Sequence, residues 1–349
     1  MKKIITLLLI IALLLPLAAC GGEPPTPPIN GTMPAVSPPA AATPAPTEEP
    51  SAHEPLIIPV GTLNGNTGVA AAWLMEQAKL GETEDIYDFE VFTAPDQVTG
   101  ALISGQVQIA ALPTNVAATL YNRSEGMIQL AAIAAYGVLH ILESGDEIQS
   151  IADLTGRTIH TTGQGAGPEF ILNHILTQNG LTPGVDVQIE FHPNEALATL
   201  MAAGQIEISM MPEPMATSVL AQNQDVRRAL DMTTEWEAVT DSPLVMSVLV
   251  VRTDFAEAHP EAVLRFLALY RQSIQETVQN PGEVAALIAQ FEIIPNAVIA
   301  ERAIPGCNLT FIAGADMEPA VIGFLQVLYS AEPASVGGAI PDENFYFIG

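Results

Sequence analysis

The chain has 349 residues, with 11 basic against 39 acidic side chains and a formal net charge of -28 at pH 7. Its only lysines are Lys2, Lys3 and Lys79, so the basic footprint that phosphate backbones require is missing and nucleic-acid binding is nearly excluded. Two cysteines, Cys20 and Cys307, supply neither a disulfide framework nor a cysteine-based metal site.

The N-terminus reads as an export signal. Lys2 and Lys3 precede an apolar run at residues 4–15, too short to span a bilayer, and Leu17-Ala18-Ala19-Cys20 places small residues before a cysteine. That ending resembles the lipobox of bacterial lipoproteins. The resemblance implies removal of residues 1–19 and a lipid on Cys20, leaving the protein tethered at the outer face of the cytoplasmic membrane, extracellular in a single-membrane cell and otherwise periplasmic. Residues 20–54 are Pro, Ala, Thr, Ser and Glu with few large apolar side chains, too little to offset the entropy of ordering, and they read as a disordered stalk. In polyproline II form, at roughly 3.1 Å per residue, it would reach on the order of 100 Å.

Beyond the stalk, residues 56–60 form an expected strand, Gly61-Thr62-Leu63-Asn64-Gly65-Asn66-Thr67-Gly68 a loop, and residues 69–79 a helix. The word Gly105-Gln106-Val107-Gln108-Ile109-Ala110-Ala111-Leu112-Pro113 then returns 99 positions later as Gly204-Gln205-Ile206-Glu207-Ile208-Ser209-Met210-Met211-Pro212. The same displacement pairs Gly68 with Gly167, Phe92 with Phe191 and Ala117 with Ala216, which predicts two similar α/β lobes. Between the copies, residues 128–133 and 137–142 read as strands leading into the second lobe. That lobe opens with a turn at 153–157, a strand at 158–161, the loop Gly163-Gln164-Gly165-Ala166-Gly167 and a helix from Pro168 to about Gly180. Residues 243–251 read as a further strand. Pro260 starts an amphipathic helix with Val263, Phe266, Leu267, Tyr270 and Ile274 on one stripe, and Asn280-Pro281 stops it. The segment after Val251 is expected to complete the first lobe. The fold class is therefore α/β, two open sheets with flanking helices joined by a two-crossing hinge. Residues 55–142 with 247–349 form the first lobe and residues 143–246 the second.

Loops at the carboxyl ends of open parallel strands face a common crevice, where ligands bind. The candidate ligand set is Asn64, Asn66 and Thr67, Thr114 and Asn115, Tyr136, Gln164, Gly165 and Ala166, and Glu213. Residues 163–167 offer backbone N–H groups at a helix N-terminus, which attract an anion. Thr114 and Asn115 donate and accept hydrogen bonds; Glu213 either accepts from an amine or aminopyrimidine edge or is an exposed first-turn carboxylate. Tyr136 is placed to stack on a ring, and Trp73 and Trp236 suit packing as well as a ligand wall. Pro168 stands where a dinucleotide fingerprint needs its third glycine, so no cofactor is expected. No catalytic motif occurs, the histidines at 53, 140, 160, 174, 192 and 259 lack metal-ligand spacing, and no enzyme activity or metal is expected. His174, on an apolar helix face, reads as a satisfied core histidine.

The order Asp153-Leu154-Thr155-Gly156-Arg157-Thr158-Ile159, the loop 163–168 with its helix, Gly180-Leu181, Gly204-Gln205-Ile206-Glu207-Ile208 and Pro212-Glu213-Pro214 resembles the nitrate/sulfonate/taurine-type substrate-binding proteins of ABC importers. It also resembles the related binders of thiamine-pyrimidine precursors, both with the type II periplasmic binding protein fold. Leu112-Pro113-Thr114-Asn115 and the ending Gly337-Gly338-Ala339-Ile340-Pro341-Asp342 add to the likeness, which covers nearly all of the chain after the stalk. It implies a monomeric solute-binding lipoprotein whose partners are a small-molecule ligand, an ABC permease with its ATPase, and the membrane through the lipid anchor. The ligand class implied is a sulfonate, nitrate or taurine-like anion, or a thiamine-pyrimidine-like heterocycle. An extracytoplasmic enzyme or a ligand-sensing lipoprotein on the same fold is the alternative.

Overall fold

A computed structural model describes residues 54–349; the expected export signal, Cys20 and nearly all of the stalk lie outside the described residues. The chain runs through β1 (Ile57–Leu63), α1 (Asn66–Leu80), β2 (Ile86–Phe92), α2 (Pro95–Ser104), β3 (Ile109–Pro113), α3 (Thr114–Arg123) and β4 (Ile128–Ala135). It then enters β5 (Leu139–Ser144) and repeats the pattern with β6 (Thr158–Thr161), α4 (Gly167–Gln178), β7 (Gln188–Phe191), α5 (Asn194–Ala202), β8 (Ile208–Pro212), α6 (Met215–Gln222) and β9 (Val226–Asp231). After α7 (Met232–Glu237) come β10 (Ser247–Arg252), α8 (Thr253–Ala258), α9 (Pro260–Gln279), α10 (Pro281–Gln290), α11 (Ala297–Ala303), β11 (Leu309–Ala313) and α12 (Met317–Ala331).

The repeated word has a backbone cause. Gly105 and Gly204 lie just beyond α2 and α5 at φ 76° and 66°, a left-handed conformation that costs a side-chain-bearing residue roughly 1–2 kcal/mol. The apolar runs that follow are the buried strands β3 and β8. Pro113 and Pro212 then end those strands at the turns into the next segments, where a fixed φ suits the chain.

The strands form two sheets, ordered β11-β4-β10-β3-β1-β2 and β7-β6-β8-β5-β9. In the first, β1 pairs in parallel with β2 and β3, while β10 lies antiparallel between β3 and β4. In the second, β6 pairs in parallel with β7 and β8, and β5 lies antiparallel between β8 and β9. In each sheet the strand that arrives from the other lobe thus runs antiparallel to both its neighbours, and β11 also pairs antiparallel with β4 at the edge of the first. The passages between sheets are residues 136–138 and 232–246, and the first lies a few residues before the expected 142 because β5 pairs wholly within the second sheet. The two passages touch. A Cβ on Gly137 would lie 2.2 Å from Thr233 Oγ1 and 2.8 Å from Leu244 Cδ2, so only glycine lets them approach.

One apolar cluster runs from Leu63 and Ile133 in the first lobe through Leu139 and Met210 in the second to Phe324 of α12. A second lies on the far face of the first sheet, where α1 packs on α9. Ala70, Ala71 and Ala72 let those helices approach closely enough for Ser273 Oγ to donate to the Ala70 carbonyl at 2.7 Å and accept from Leu74 N–H at 3.2 Å. A third, smaller cluster under α5 and α6 covers the far face of the second sheet.

The tail departs from the expectation that everything after Val251 belongs to the first lobe. β10, β11 and α9 do, but α12 lies against α4, and Phe324 packs on Trp236 with ring centroids 5.6 Å apart. Trp236 is fully buried and its Nε1 donates to the Ser242 carbonyl at 2.7 Å, which makes it a packing residue. The ending at 337–342 is held along α3: Asn122 Nδ2 donates to the Val336 and Ala339 carbonyls, and the Tyr121 hydroxyl to Asp342. Among the described residues no helix is long and apolar enough to cross a membrane.

Candidate functional site

Between the two sheets, at the carboxyl ends of their parallel strands, lies a cavity of about 290 Å³. Five helices begin in its wall: α1 with Asn66, α2 with Pro95, α3 with Thr114 and Asn115, α4 with Gly167 and Pro168, and α5 with Asn194. Unsatisfied first-turn N–H groups and the helix dipole make each such terminus equivalent to roughly half a positive charge. Thr162, Gly163 and Ala166 add the loop after β6, Val138 and Met246 come from the two passages, and Phe324 from α12. Among the described residues, no Asp, Glu, His, Lys, Arg or Cys side chain lines this cavity. The positive groups in the wall itself are therefore the N–H groups of the helix ends.

A larger groove of about 730 Å³ lies between α4 and α12, lined by His174 and Asn173. Its lining comes from α4, α12 and Glu332, with no strand end and no loop of the first sheet, so the cavity between the lobes is the better candidate. His174 itself departs from expectation: it is half-buried at that groove, its ring lies 5.1 Å from that of Trp236, and its Nε2 has no hydrogen-bond partner among the described residues. Burial lowers its pKa.

Of the expected ligand residues, Asn66, Thr114, Asn115 and Ala166 meet in the cavity wall. Thr114 is 1% exposed and its Oγ1 has no hydrogen-bond partner among the described residues. The lobes approach here, since a Cβ on Gly167 would lie 3.5 Å from Asn115 Oδ1. The other residues lie elsewhere. Asn64 is exposed, Thr67 is buried with its hydroxyl exchanging hydrogen bonds with Leu63, and Gln164 and Gly165 sit exposed at a loop tip where Gly165 N–H donates to the Glu169 carboxylate at 2.5 Å. Tyr136 packs against the main core outside the wall, with its pKa raised by burial and then by Glu237. Trp73 is partly buried beside the α1–α9 core.

Glu213 is neither an exposed first-turn carboxylate nor part of the wall. Its side chain is fully buried and accepts from Arg228 and from Thr217 N–H, while Arg228 also donates to Thr217 Oγ1 at 2.7 Å. His140 Nε2 lies 3.8 Å from the same carboxylate. Burial nevertheless lowers the His140 pKa, with Glu213 pulling the other way. Arg228 also lowers it, and neither ring nitrogen of His140 has a hydrogen-bond partner among the described residues.

Asn194 and Pro95 were not among the expected residues although the repeat itself points to them, for they stand 99 positions apart and open equivalent helices. Val138, Met246 and Phe324 carry no such sign. The histidine spacing also concealed one cluster, because parallel pairing of β6 with β7 sets His160 opposite Glu190 and brings His192 beside them.

A family model described as NMT1/THI5 like matches residues 88–284. Over 229 residues the chain is 25% identical to the taurine-binding periplasmic protein of Escherichia coli (strain K12), covering 62% of this chain and 68% of that protein. The solved structure of an ABC transporter from Parabacteroides distasonis matches with a TM-score of 0.71 at 22% identity, over 83% of this chain and 98% of the other. The periplasmic aliphatic sulphonate binding protein of Escherichia coli matches at 0.66 and 17% identity, over 82% and 91% of the two chains. For the periplasmic nitrate-binding protein of Synechocystis PCC 6803 the values are 0.58 and 14%, over 81% and 84%. At these identities the structural likenesses establish the fold, which is the two-sheet α/β architecture of periplasmic binding proteins.

Proposed function

The chain belongs to the NMT1/THI5-like family, and from that membership together with its cleft we propose that it is an extracytoplasmic solute-binding protein of an ABC importer. The observation that carries this reading is the convergence of five helix N-termini, from both lobes, on a small cavity free of charged side chains. A volume of about 290 Å³ falls at the lower end of ligand pockets, roughly 300–1,000 Å³, and suits a solute of few heavy atoms. Helix N-termini hold anions without side-chain cations, so a small sulfonate or nitrate is favoured, in keeping with the relatives named for taurine, sulphonate and nitrate. A thiamine-pyrimidine-like heterocycle is disfavoured because Phe324 is the one ring in the wall.

Only the closed arrangement lets both lobes contact the solute, so binding favours closure and the permease with its ATPase reads the closed form. A wall without acid, base or thiol supports capture rather than turnover. Export, lipidation at Cys20 and residues 20–54 as a tether, carrying a monomer at the outer face of the cytoplasmic membrane, complete the reading. They are tested by whether Cys20→Ala releases the protein from the membrane fraction.

The cleft is tested by thermal shift on the purified, refolded chain with short alkanesulfonates, taurine, nitrate and aminopyrimidines. A ligand at 100 times its dissociation constant adds about 2.7 kcal/mol of stability. A saturable rise with a sulfonate or nitrate is expected. A rise with aminopyrimidines alone would replace the anion with a heterocycle, and conversion of any bound compound would make the protein an enzyme.

A further inference from the structure

We propose that His160, Glu190 and His192 form a site for a divalent late transition metal, best matched by Zn²⁺, on the outer strands of the second sheet and separate from the solute cleft. None of the three lines that cleft. His160 Nδ1 lies 2.9 Å from His192 Nε2 and 3.4 Å from Glu190 Oε2, and the three ligand atoms all fall within 4.8 Å of one another. Tetrahedral zinc, with bonds of about 2.0–2.1 Å to nitrogen and oxygen, holds its ligand atoms roughly 3.3 Å apart. The two imidazoles therefore need to separate by only a few tenths of an ångström, and the carboxylate is already at that range from His160.

Backbone pairing places the set. β6 and β7 are parallel, with His160 opposite Glu190, and His192 N–H continues the ladder by donating to the Thr161 carbonyl at 2.8 Å. Without metal, one of the two facing ring nitrogens carries the hydrogen shared between them. On metal binding the donating ring carries its hydrogen on the other nitrogen instead, so both facing nitrogens offer lone pairs while each imidazole stays neutral. Two neutral imidazoles and one carboxylate are a borderline donor set that suits Zn²⁺ and does not suit Mg²⁺ or Ca²⁺, which prefer oxygen. Glu190 is 61% exposed and His160 16% exposed in their side chains, so water has access and can complete a fourth position. β7 is a four-residue edge strand, and a bound metal would clamp it to β6.

The test is isothermal titration of the metal-stripped full chain with ZnCl₂ in excess Mg²⁺ and Ca²⁺, which occupy the many surface carboxylates. One Zn²⁺ per chain is expected. His160→Ala and His192→Ala should each weaken binding by at least tenfold, since even groups outside the ligand shell act on the scale of about 10–100-fold; Glu190→Gln should weaken it too. Each variant is first required to match the metal-free wild type in melting midpoint. His192→Gln replaces the alanine variant if that one fails to fold. Co²⁺ provides a second readout, with strong visible bands expected for a four-coordinate site that both histidine variants abolish. Absence of saturable zinc uptake, uptake unchanged in the histidine variants, or only the weak spectrum of water-coordinated Co²⁺ would each overturn the assignment.

Discussion

Thr114→Val separates a ligand contact from a structural hydroxyl, because the two roles give opposite signs. Thr114 is 1% exposed, its backbone N–H donates to the Met246 carbonyl at 3.3 Å, and its Oγ1 has no partner among the described residues. Burying a hydroxyl unpaired costs about 1–3 kcal/mol on the protein scale. Valine keeps the shape and removes that cost, so the ligand-free variant should be as stable as the wild type or up to about 1–3 kcal/mol more so. If the hydroxyl donates to a bound oxyanion, the lost bond to a charged group is worth about 1.5–3 kcal/mol, or roughly 10- to 150-fold in affinity. Urea unfolding of the ligand-free protein reads the first quantity and calorimetric titration with the solute reads the second. Thr114→Ser, which keeps the hydroxyl, should retain most of the affinity. A valine variant that is destabilised by more than about 1 kcal/mol while binding normally would refute the argument.

Arg228→Met removes one partner of the Glu213 pair. Breaking a buried pair costs about 3–5 kcal/mol; the Arg228 side chain is 40% exposed, so the loss of urea-unfolding stability should fall near or below the lower figure, and an unchanged midpoint would show that Thr217 N–H suffices for Glu213. Burial lowers the pKa of His140, His160 and His174, so near pH 6.5 the unfolded chain binds more protons and stability rises with pH. Their contribution is full above the unfolded pKa of about 6.5 and is lost as pH falls below it towards the folded values. The urea midpoint should accordingly be lower at pH 5.5 than at pH 7.5, and His174→Gln should reduce the difference; a midpoint independent of pH would contradict this. Gly137→Ala places a Cβ against Thr233 Oγ1 and should cost about 1–3 kcal/mol by overpacking. Adding Thr233→Ala should recover part of that, and full additivity of the two losses would contradict the contact.

The repeat was legible because it is written in residues that the backbone constrains: a left-handed glycine after each helix, a buried apolar strand, a proline at the strand end. Which strand crosses over to run antiparallel inside each sheet was not legible. β5 and β10 sit outside the repeated segment, and their exchange is decided by pairing with β8 and β9 or with β3 and β4, which no local pattern encodes. Asn66, Thr114, Asn115 and Ala166 reach the cavity wall because they follow the strand ends, a placement the sequence does indicate. Glu213 was misplaced because its partner Arg228 stands on β9, separated from β8 by β5, and sequence spacing gives no sign that the guanidinium reaches back.

The two copies of the repeat differ at the end of their last strand. Glu213 is the equivalent of Thr114, 99 positions on. Their backbones behave alike: Thr114 N–H donates to the carbonyl of Met246, just before β10, and Glu213 N–H to that of Val138, just before β5. Their side chains do not. Thr114 lies in the cavity wall with a buried hydroxyl that has no hydrogen-bond partner among the described residues, whereas Glu213 turns to Arg228 and lies against the first lobe, where a Cβ on Gly306 would meet it at 2.9 Å. Had both positions carried a carboxylate facing the cavity, their charge would oppose the field of the helix N-termini around it. Pairing Glu213 with Arg228 removes that conflict and converts the second copy's position into a contact between the lobes. Under the proposed function, the same backbone position serves the ligand in one lobe and closure in the other, and the solute meets a cavity wall whose lining residues carry no charged side chain.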